Sequence, residues 1–300
     1  MSRTITASDV RPLGDLPNLS ILPGAIRLNR NHHNSVASWV ATETLKSPPS
    51  RFNYGVPEHI VSKLNLNIDD NPIIADLISS LAASIGDDVR YLEIGTSIGK
   101  TAYLVMAYAH VRNIPLVCFC LDIEEINEVF LRMTEDLFQI NSSKAIFPRS
   151  EFFQRLAYVF RSHHNCDTSL VKIGKTFYYA CGDEYDLVTW DIVAGESPAK
   201  GFNIVYSDAL HDPSALRFEY SQLKALNLLC KSTLYYVFDD LEYSPAQAEV
   251  SKGMWSSVLA IAEDLTESFH DVNIYGGLIN GWIGQHEHPH AIAVIACSNR

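Results

Sequence analysis

The stretch Tyr91-Leu-Glu-Ile-Gly-Thr-Ser-Ile-Gly-Lys-Thr101 decides the fold of this chain. An apolar run carries an acid, Glu93, near its end, and two glycines, Gly95 and Gly99, then lead into a helical pattern. Glycines at such positions allow a tight turn and let a ligand approach the backbone. This arrangement predicts a doubly wound α/β domain with a nucleotide-sized ligand site at the turn.

Length, charge and cysteine content exclude several classes of protein. The chain has 300 residues, a net charge of −12 and no Lys/Arg cluster, which argues against nucleic-acid and anionic-membrane partners. No stretch is apolar enough over sufficient length to cross a bilayer, and the first residues lack the apolar core of a secretion signal. The six cysteines show no framework spacing and are interpreted as buried thiols, so we expect a cytoplasmic protein.

Strand-like and helix-like segments alternate from residue 71 onward. Strands are predicted over 89–94, 116–121, 176–181, 203–207, 233–238, 272–279 and 291–296, and helices over 101–111, 125–140, 215–229 and 254–269. This alternation predicts a mainly parallel sheet with helices on both faces, and a short loop over 284–289 makes the last two strands antiparallel. Residues 1–70 are interpreted as an N-terminal arm or lid, residues 71–300 as the ligand-binding domain, and residues about 124–175 as a helical insertion with a second helix over 151–161.

The glycine turn resembles a phosphate-binding loop, but two details oppose that interpretation. Such a loop needs four residues between its glycines, and here there are three, Thr96, Ser97 and Ile98. Glu93 would also repel a polyphosphate, by up to about 4 kcal/mol at ~4 Å and an effective dielectric near 20. A dinucleotide fingerprint fails too, because Ser97 stands where its second glycine belongs. These features favour a ligand that is positively charged and lacks phosphate.

With its strand, acid and Gly-x-x-x-Gly turn, the sequence resembles the class I S-adenosylmethionine (SAM)-dependent methyltransferases over about residues 72–297. The resemblance implies their Rossmann-like fold, with seven mostly parallel strands, an antiparallel C-terminal hairpin strand and SAM as cofactor. It implies that Glu93 and the turn bind the methionine part of SAM, that Asp122, with Glu124 as the alternative, binds the ribose hydroxyls, and that Asp183 meets the adenine amino group. The turn residues concerned are Gly95, Thr96, Ser97 and Gly99. Either aspartate alone is also explained as a helix N-cap.

A second group of acids follows the fourth and fifth predicted strands. These strands end Ile204-Val-Tyr-Ser-Asp-Ala-Leu-His211 and Tyr236-Val-Phe-Asp-Asp240. Because neighbouring strands lie ~4.8 Å apart, we expect Asp208, Asp239 and Asp240 to converge at the carboxyl edge of the sheet. Adjacent carboxylates are costly unless a proton or a cation lies among them, and oxygen ligands suit Mg²⁺ or another hard divalent cation.

This pattern resembles the metal-dependent small-molecule O-methyltransferases of the catechol, caffeoyl and antibiotic-sugar types. The resemblance implies that Asp208, Asp239 and Asp240 hold Mg²⁺ and that the metal chelates and activates a hydroxyl of a small secondary metabolite. Where those families carry an acid or a lysine, this chain has Leu210 and then His211, so His211 is a candidate general base beside Asp208. His211 is also explained as a cap or packing residue.

Two alternatives stay open at this point: a P-loop nucleotide hydrolase, and a non-catalytic SAM-fold binding protein. The expected partner is a small-molecule acceptor, with no nucleic acid and no membrane. Homo-oligomer formation is left open by the sequence.

Overall fold

The structure is a computed structural model that describes residues 4–16, 71–86, 88–96, 99–148, 167–208, 210, 212–242, 253–283 and 286–299. The helices of these residues are α1 Asn71–Ile85, α2 Lys100–Arg112, α3 Glu128–Phe138, α4 Leu187–Glu196, α5 Pro213–Ala225 and α6 Met254–Leu265. The strands are β1 Val10–Pro12, β2 Val89–Ile94, β3 Leu116–Asp122, β4 Ser143–Phe147, β5 Thr168–Ile173, β6 Phe177–Cys181, β7 Ile204–Ser207, β8 Thr233–Leu241, β9 Asp271–Ile283 and β10 His286–Ser298.

The strands of the described residues form one sheet in the order β1-β9-β10-β8-β7-β2-β3-β6-β5-β4. The run from β8 through β7, β2 and β3 to β6 is parallel, whereas β10 lies antiparallel between β8 and β9. When the core strands β2, β3, β6, β7, β8, β9 and β10 are counted from one to seven, their spatial order is 6-7-5-4-1-2-3. This is the Rossmann-like methyltransferase sheet, so the predicted fold class is confirmed.

The sheet extends beyond seven strands at both edges. At one edge β1, from the segment predicted as an arm, pairs parallel with β9. At the other edge β5 and β4 add an antiparallel pair beside β6, and both come from the predicted insertion. Four of the five side chains of β4 are exposed, so its sequence carries no core-facing alternation. The predicted helix over 151–161 and most of the arm lie outside the described residues, and the division into lid and domain stays a prediction.

In the described part of the chain, three helices cover each face of the sheet. One face packs against α1, α2 and α3, through side chains such as Ile78, Val105 and Phe130. The other packs against α4, α5 and α6, through side chains such as Trp190 and Trp255. Helices α4 and α5, which follow the carboxyl ends of β6 and β7, have polar N-caps. Asp186 accepts the Val188 amide before α4, and Asp212 accepts the amides of Ser214 and Ala215 before α5, where Pro213 takes the first helical position.

The cysteines match the expectation from the sequence where the structure describes them. Five of the six are buried thiols outside any disulfide, namely Cys118, Cys120, Cys181, Cys230 and Cys297. The sixth, Cys166, lies outside the described residues. In the same described part of the chain, no helix combines the length and apolarity needed to span a bilayer.

Candidate functional site

The candidate site lies where the strand order reverses, at the carboxyl ends of β2 and β7. From β2 the chain proceeds to β3 on one side and returns through β7 on the other. The Asp208 amide donates to the Ile94 carbonyl at 2.8 Å, so the parallel pairing continues one residue past β7. Asp208 therefore lies beside the glycine turn, at the kind of switch point where open α/β sheets bind ligands.

Both glycines of the turn have backbone conformations that require them. Gly95 has φ of 86° and Gly99 has φ of 81°. The turn is closed by hydrogen bonds from the Gly95 amide to Leu121 O at 2.8 Å and from the Gly99 amide to Thr96 O at 2.9 Å. A Cβ on Gly99 would lie 2.2 Å from the Phe130 ring, so a side chain is excluded there by both conformation and contact. Thr96 is buried in the turn, and Ser97 lies outside the described residues.

Glu93 is buried at the foot of the turn and faces the start of α2. Its carboxyl accepts hydrogen bonds from the Tyr91 hydroxyl and from the Ala102 amide in the first turn of α2. Burial raises the pKa of Glu93 to about 8, with Asp122 adding to the rise and the two hydrogen bonds opposing it. Amides at a helix N-terminus are the groups with which proteins bind phosphate. Here the protein's own carboxyl engages one of them, which disfavours a phosphate and favours a cationic ligand group.

Asp122 and Asp183 stand at the ends of the neighbouring strands β3 and β6. Asp122 Oδ1 accepts the Glu124 amide at 2.8 Å, and Asp183 Oδ1 accepts the Tyr185 amide at 2.9 Å. These are turn-shaping contacts, and the N-cap of α4 is Asp186 instead of Asp183. The structure thus puts both aspartates at the carboxyl edge of the sheet, beside the candidate site. Their roles toward a cofactor stay predictions.

Asp208 and Asp239 meet at one tyrosine. Side chains alternate along a strand, so Tyr206 and Asp208 point to the same face, the face on which Tyr206 is buried against α1 and α2. The Tyr206 hydroxyl donates to Asp239 Oδ2 at 2.9 Å and lies 3.2 Å from Asp208 Oδ2. Burial first, and then the charges of Asp239, Asp240 and Glu93, raise the pKa of Asp208 to about 9. Since a phenol has one proton to donate, a protonated Asp208 completes a chain of hydrogen bonds from Asp208 through Tyr206 to Asp239.

Asp240 differs from Asp239 in position and exposure. The register between β8 and β10 shifts between Ala291 and Ala293, so that Asp239 and Asp240 together face Ile292 in a β-bulge. Asp239 is buried, whereas Asp240 is exposed with φ of 50°. The charge of Asp240 still contributes to the raised pKa of Asp208.

The predicted Mg²⁺ ligands are therefore brought together only in part. In the part of the chain that the structure describes, no group of three or more His, Cys, Asp or Glu side chains is arranged to hold a metal ion. Asp208 and Asp239 are linked through Tyr206, whereas the side chain of Asp240 is exposed. His211, the candidate base, lies outside the described residues. A three-acid metal site stays a prediction from the sequence.

Three residues of this edge were not singled out from the sequence. Tyr206 had a signal, because it lies two residues before Asp208 and alternation puts both on one face. Glu184 and Glu219 form a buried pair near the ends of β6 and β7. Glu219 also had a signal, since it stands three residues after Leu216 and four before Leu223, on the apolar stripe of α5.

Apolar side chains are exposed at the same edge. Ile123, directly after Asp122, is 36% exposed, and Leu210, two residues after Asp208, is 51% exposed. Large apolar side chains in such positions are available to cover the faces of a flat ligand.

Comparison with known proteins gives a likeness at the level of solved structures alone. No family model matches the chain, and no curated protein matches it. Among solved structures, the O-methyltransferase TomG from Streptomyces achromogenes, which acts in tomaymycin synthesis and was solved with SAM, is 14% identical with a TM-score of 0.41, over 89% of this chain and 98% of that one. A TDP-rhamnose 3'-O-methyltransferase of calicheamicin biosynthesis is 14% identical with a TM-score of 0.41, over 85% and 91% of the two chains. A SAM-dependent methyltransferase from Anabaena variabilis is 11% identical with a TM-score of 0.36, over 74% and 83%.

Proposed function

We propose that the protein is a SAM-dependent methyltransferase that methylates a hydroxyl group of a small molecule. The observation that carries the proposal is the buried carboxyl of Glu93, which lies under the glycine turn and against the first turn of α2. SAM carries an ammonium and a sulfonium and no phosphate. Among the described residues, the groups that shift the pKa of Glu93 are Tyr91, Asp122 and the Ala102 amide, none of which is a cation. A buried acid in such surroundings gains most from a ligand with those charges.

The remaining cofactor contacts follow from the order of the strand ends. In this proposal Asp122, at the tip of β3, accepts hydrogen bonds from the ribose hydroxyls. Ile123 and Leu210 cover the two faces of the adenine ring. Asp183 accepts a hydrogen bond from the adenine amino group. Each of these residues follows a strand that ends at the same edge of the sheet as β2, so one extended ligand can reach them all.

In this proposal the acceptor hydroxyl lies beside Asp208 and Asp239. Tyr206 fixes the two carboxyl groups relative to each other, and Asp208 is the nearer of them to the glycine turn because its amide pairs with Ile94. In the proposal Asp208 orients the acceptor hydroxyl, and His211 takes its proton. Holding the acceptor oxygen in line with the donor methyl supplies most of the rate enhancement.

The carboxyl groups of Asp208 and Asp239 are compatible with Mg²⁺, although Tyr206 joins only these two acids and not Asp240. Mg²⁺ commonly binds through one or two carboxylates and keeps several waters, so Asp208 and Asp239 would hold it. A metal bound there would lower the pKa of the acceptor hydroxyl. The hard oxygen donors and the electrostatic cost of placing Asp208 beside Asp239 both support a cation at this place.

The P-loop alternative is less well supported than methyl transfer. The turn has three residues between its glycines, and the Ala102 amide is engaged by Glu93. A phosphate would have to compete with that carboxyl for the start of α2. The non-catalytic alternative predicts SAM binding with dispensable aspartates, and it is distinguished by experiment.

Calorimetry and a turnover assay test the proposal together. We expect SAM to bind the purified protein and ATP with Mg²⁺ not to bind. With radiolabelled SAM and a panel of catechols, other phenols and sugar nucleotides, we expect transfer to at least one acceptor, abolished by Asp239→Ala without loss of SAM binding. ATP binding without SAM binding would overturn the proposal, and turnover that survives EDTA would remove its metal component alone. SAM binding with no transfer to any acceptor class would support the non-catalytic alternative.

A further inference from the structure

The loop of residues 122–124, at the carboxyl end of β3, is held on the neighbouring strand β6 through three successive carbonyl groups. The first carbonyl accepts the Gly182 amide at 2.8 Å and so continues the backbone pairing of β3 with β6. The second accepts the Cys181 thiol at 3.5 Å, and the third accepts the Tyr179 hydroxyl at 3.0 Å. Side chains of β6 therefore supply the donors where the backbone pairing of the two strands ends.

Both side-chain donors come from the same face of β6. Tyr179 and Cys181 stand two residues apart, so alternation places them on one side of the sheet, where both are buried in the core beneath α1, α2 and α3. Tyr178, the residue before Tyr179, lies in the core on the other side, where its ring stacks on Phe119 with centroids 5.5 Å apart. The two adjacent tyrosines thus contrast a hydroxyl that reaches the loop with one on the opposite side of the sheet.

The loop itself presents little surface to the core. Ile123 and Glu124 are exposed, whereas the Tyr179 side chain beneath them is buried. Burial raises the pKa of the Tyr179 hydroxyl far above its ordinary range, and the charge of Asp122 adds to the rise, so the phenol keeps its proton and remains a donor. Segments with few buried apolar contacts open easily, so the two side-chain hydrogen bonds decide how much of the time the loop is docked.

The ring of Tyr179 joins the loop to the glycine turn. Phe130 of α3 packs edge-on against Tyr179, with ring centroids 6.5 Å apart, and the same Phe130 ring lies 2.2 Å from the position that a Cβ of Gly99 would take. One buried aromatic pair therefore supports both the turn and the 122–124 loop. The ring and the hydroxyl of Tyr179 have separate contacts, and replacement by phenylalanine removes only those of the hydroxyl.

We propose that Tyr179, with Cys181 as a second donor, is a positioning residue that holds the 122–124 loop ready for the nucleoside part of the cofactor. The part that concerns the cofactor rests on the proposed function, in which Asp122 accepts the ribose hydroxyls and Ile123 covers the adenine ring. A protein whose binding-competent conformation is only partly populated loses affinity in proportion, so a loop that is docked in advance binds the cofactor more tightly. A thiol is a weak donor, so Cys181 contributes less than Tyr179.

The first experiment uses the ligand-free protein, so it does not depend on the proposed function. Hydrogen exchange, read by mass spectrometry in peptides that cover residues 121–126, measures how often the loop opens. We expect Tyr179→Phe to speed exchange there by about tenfold, the factor that corresponds to one lost hydrogen bond of ordinary strength. Cys181→Ala should speed it by less, and Tyr178→Phe should leave it unchanged. Exchange at the wild-type rate in Tyr179→Phe overturns the proposal, and so does an acceleration of equal size throughout the sheet, which would report a loss of overall stability.

The second experiment measures the SAM dissociation constant of the same variants by calorimetry. We expect Tyr179→Phe to raise it about tenfold, because only the fraction with a docked loop binds, and Tyr178→Phe to leave it unchanged. In the turnover assay, Tyr179→Phe should raise the KM for SAM and keep kcat within about twofold, because saturating SAM restores the docked loop. Faster exchange without a change in SAM affinity, or a fall in kcat with KM unchanged, overturns the role of Tyr179 in cofactor binding. Absence of SAM binding in the wild type would instead overturn the proposed function and leave the exchange result standing.

Discussion

The Tyr206 hydroxyl donates to Asp239 Oδ2 across two neighbouring strands, at 2.9 Å, while Asp208 Oδ2 lies 3.2 Å from the same oxygen. This one phenol oxygen is the link between the acids that follow β7 and β8. A buried hydroxyl that is hydrogen-bonded to two acids contributes more to stability than a buried hydroxyl without a partner. Tyr236, on the neighbouring strand β8, is a residue of the second kind, because its hydroxyl is buried without a described partner.

Replacement of these two tyrosines by phenylalanine should therefore have opposite consequences. Tyr206→Phe leaves two buried acids without their common partner, and we expect a loss of about 1–3 kcal/mol in the free energy of unfolding. Tyr236→Phe removes a buried hydroxyl that has no described partner, so we expect no loss or a small gain. Urea denaturation at pH 7 measures both. Equal destabilisation by the two variants would show that the hydrogen bonds of Tyr206 contribute nothing beyond packing.

The bulge at Asp239 and Asp240 separates two neighbouring acids that the sequence alone treats as equivalent. Asp239 is buried and bonded to Tyr206, whereas Asp240 is exposed. We expect Asp239→Asn to lower methyl transfer by about 10²-fold or more, because it removes a group that activates or orients the nucleophile. Asp240→Asn should lower it by no more than about threefold, because an exposed charge contributes little. The rate of label transfer from SAM at saturating metal measures both variants. A loss of equal size in Asp240→Asn would support the three-acid site predicted from the sequence.

The parts of the fold that the sequence could predict are those with a strong buried pattern. The strand Val89–Ile94 was predicted with its observed bounds, because every one of its residues is apolar or buried and two glycines follow. Helix α4 was missed because, as Leu-Val-Thr-Trp-Asp-Ile-Val-Ala, it is apolar on almost all sides and has no clear period of 3.6 residues. The strand β4 was missed for the opposite reason, since its side chains are mostly exposed.

The candidate site shows a similar division. The positions of the acids at strand ends were predictable, because the carboxyl ends of parallel strands share one edge. The separation of Asp239 from Asp240 was not, because a bulge depends on how β10 pairs with β8. The burial of Glu184 and Glu219 near each other was not predictable either, because one lies in a loop and the other on a helix far along the chain, and no local pattern encodes such proximity.

Gly99 combines two constraints that a matched pair of variants separates. Gly86, after the end of α1, has φ of 76° with nothing within 4 Å of the position that a Cβ would take, whereas a Cβ at Gly99 would strike the Phe130 ring. Gly86→Ala should cost about 1 kcal/mol through backbone strain alone. Gly99→Ala should cost more and weaken SAM binding, because the turn must shift. Thermal unfolding and calorimetry measure the two effects. If Gly99→Ala matches Gly86→Ala in stability and binds SAM normally, the contact with Phe130 has no part in shaping the turn.

The raised pKa of Glu93 makes cofactor binding a proton-releasing reaction. In the ligand-free protein this pKa is about 8, so at pH 7 the carboxyl is mostly protonated. A bound ammonium or sulfonium favours the ionised form and lowers the pKa, so binding should release close to one proton from this group. Calorimetry of SAM binding at pH 7, in chelator and in buffers with different ionisation enthalpies, measures the number released. Glu93→Gln should remove this contribution, whereas Glu128→Gln, on an exposed helix face, should keep it. A binding enthalpy that is the same in every buffer would show that Glu93 does not face the charged part of the ligand.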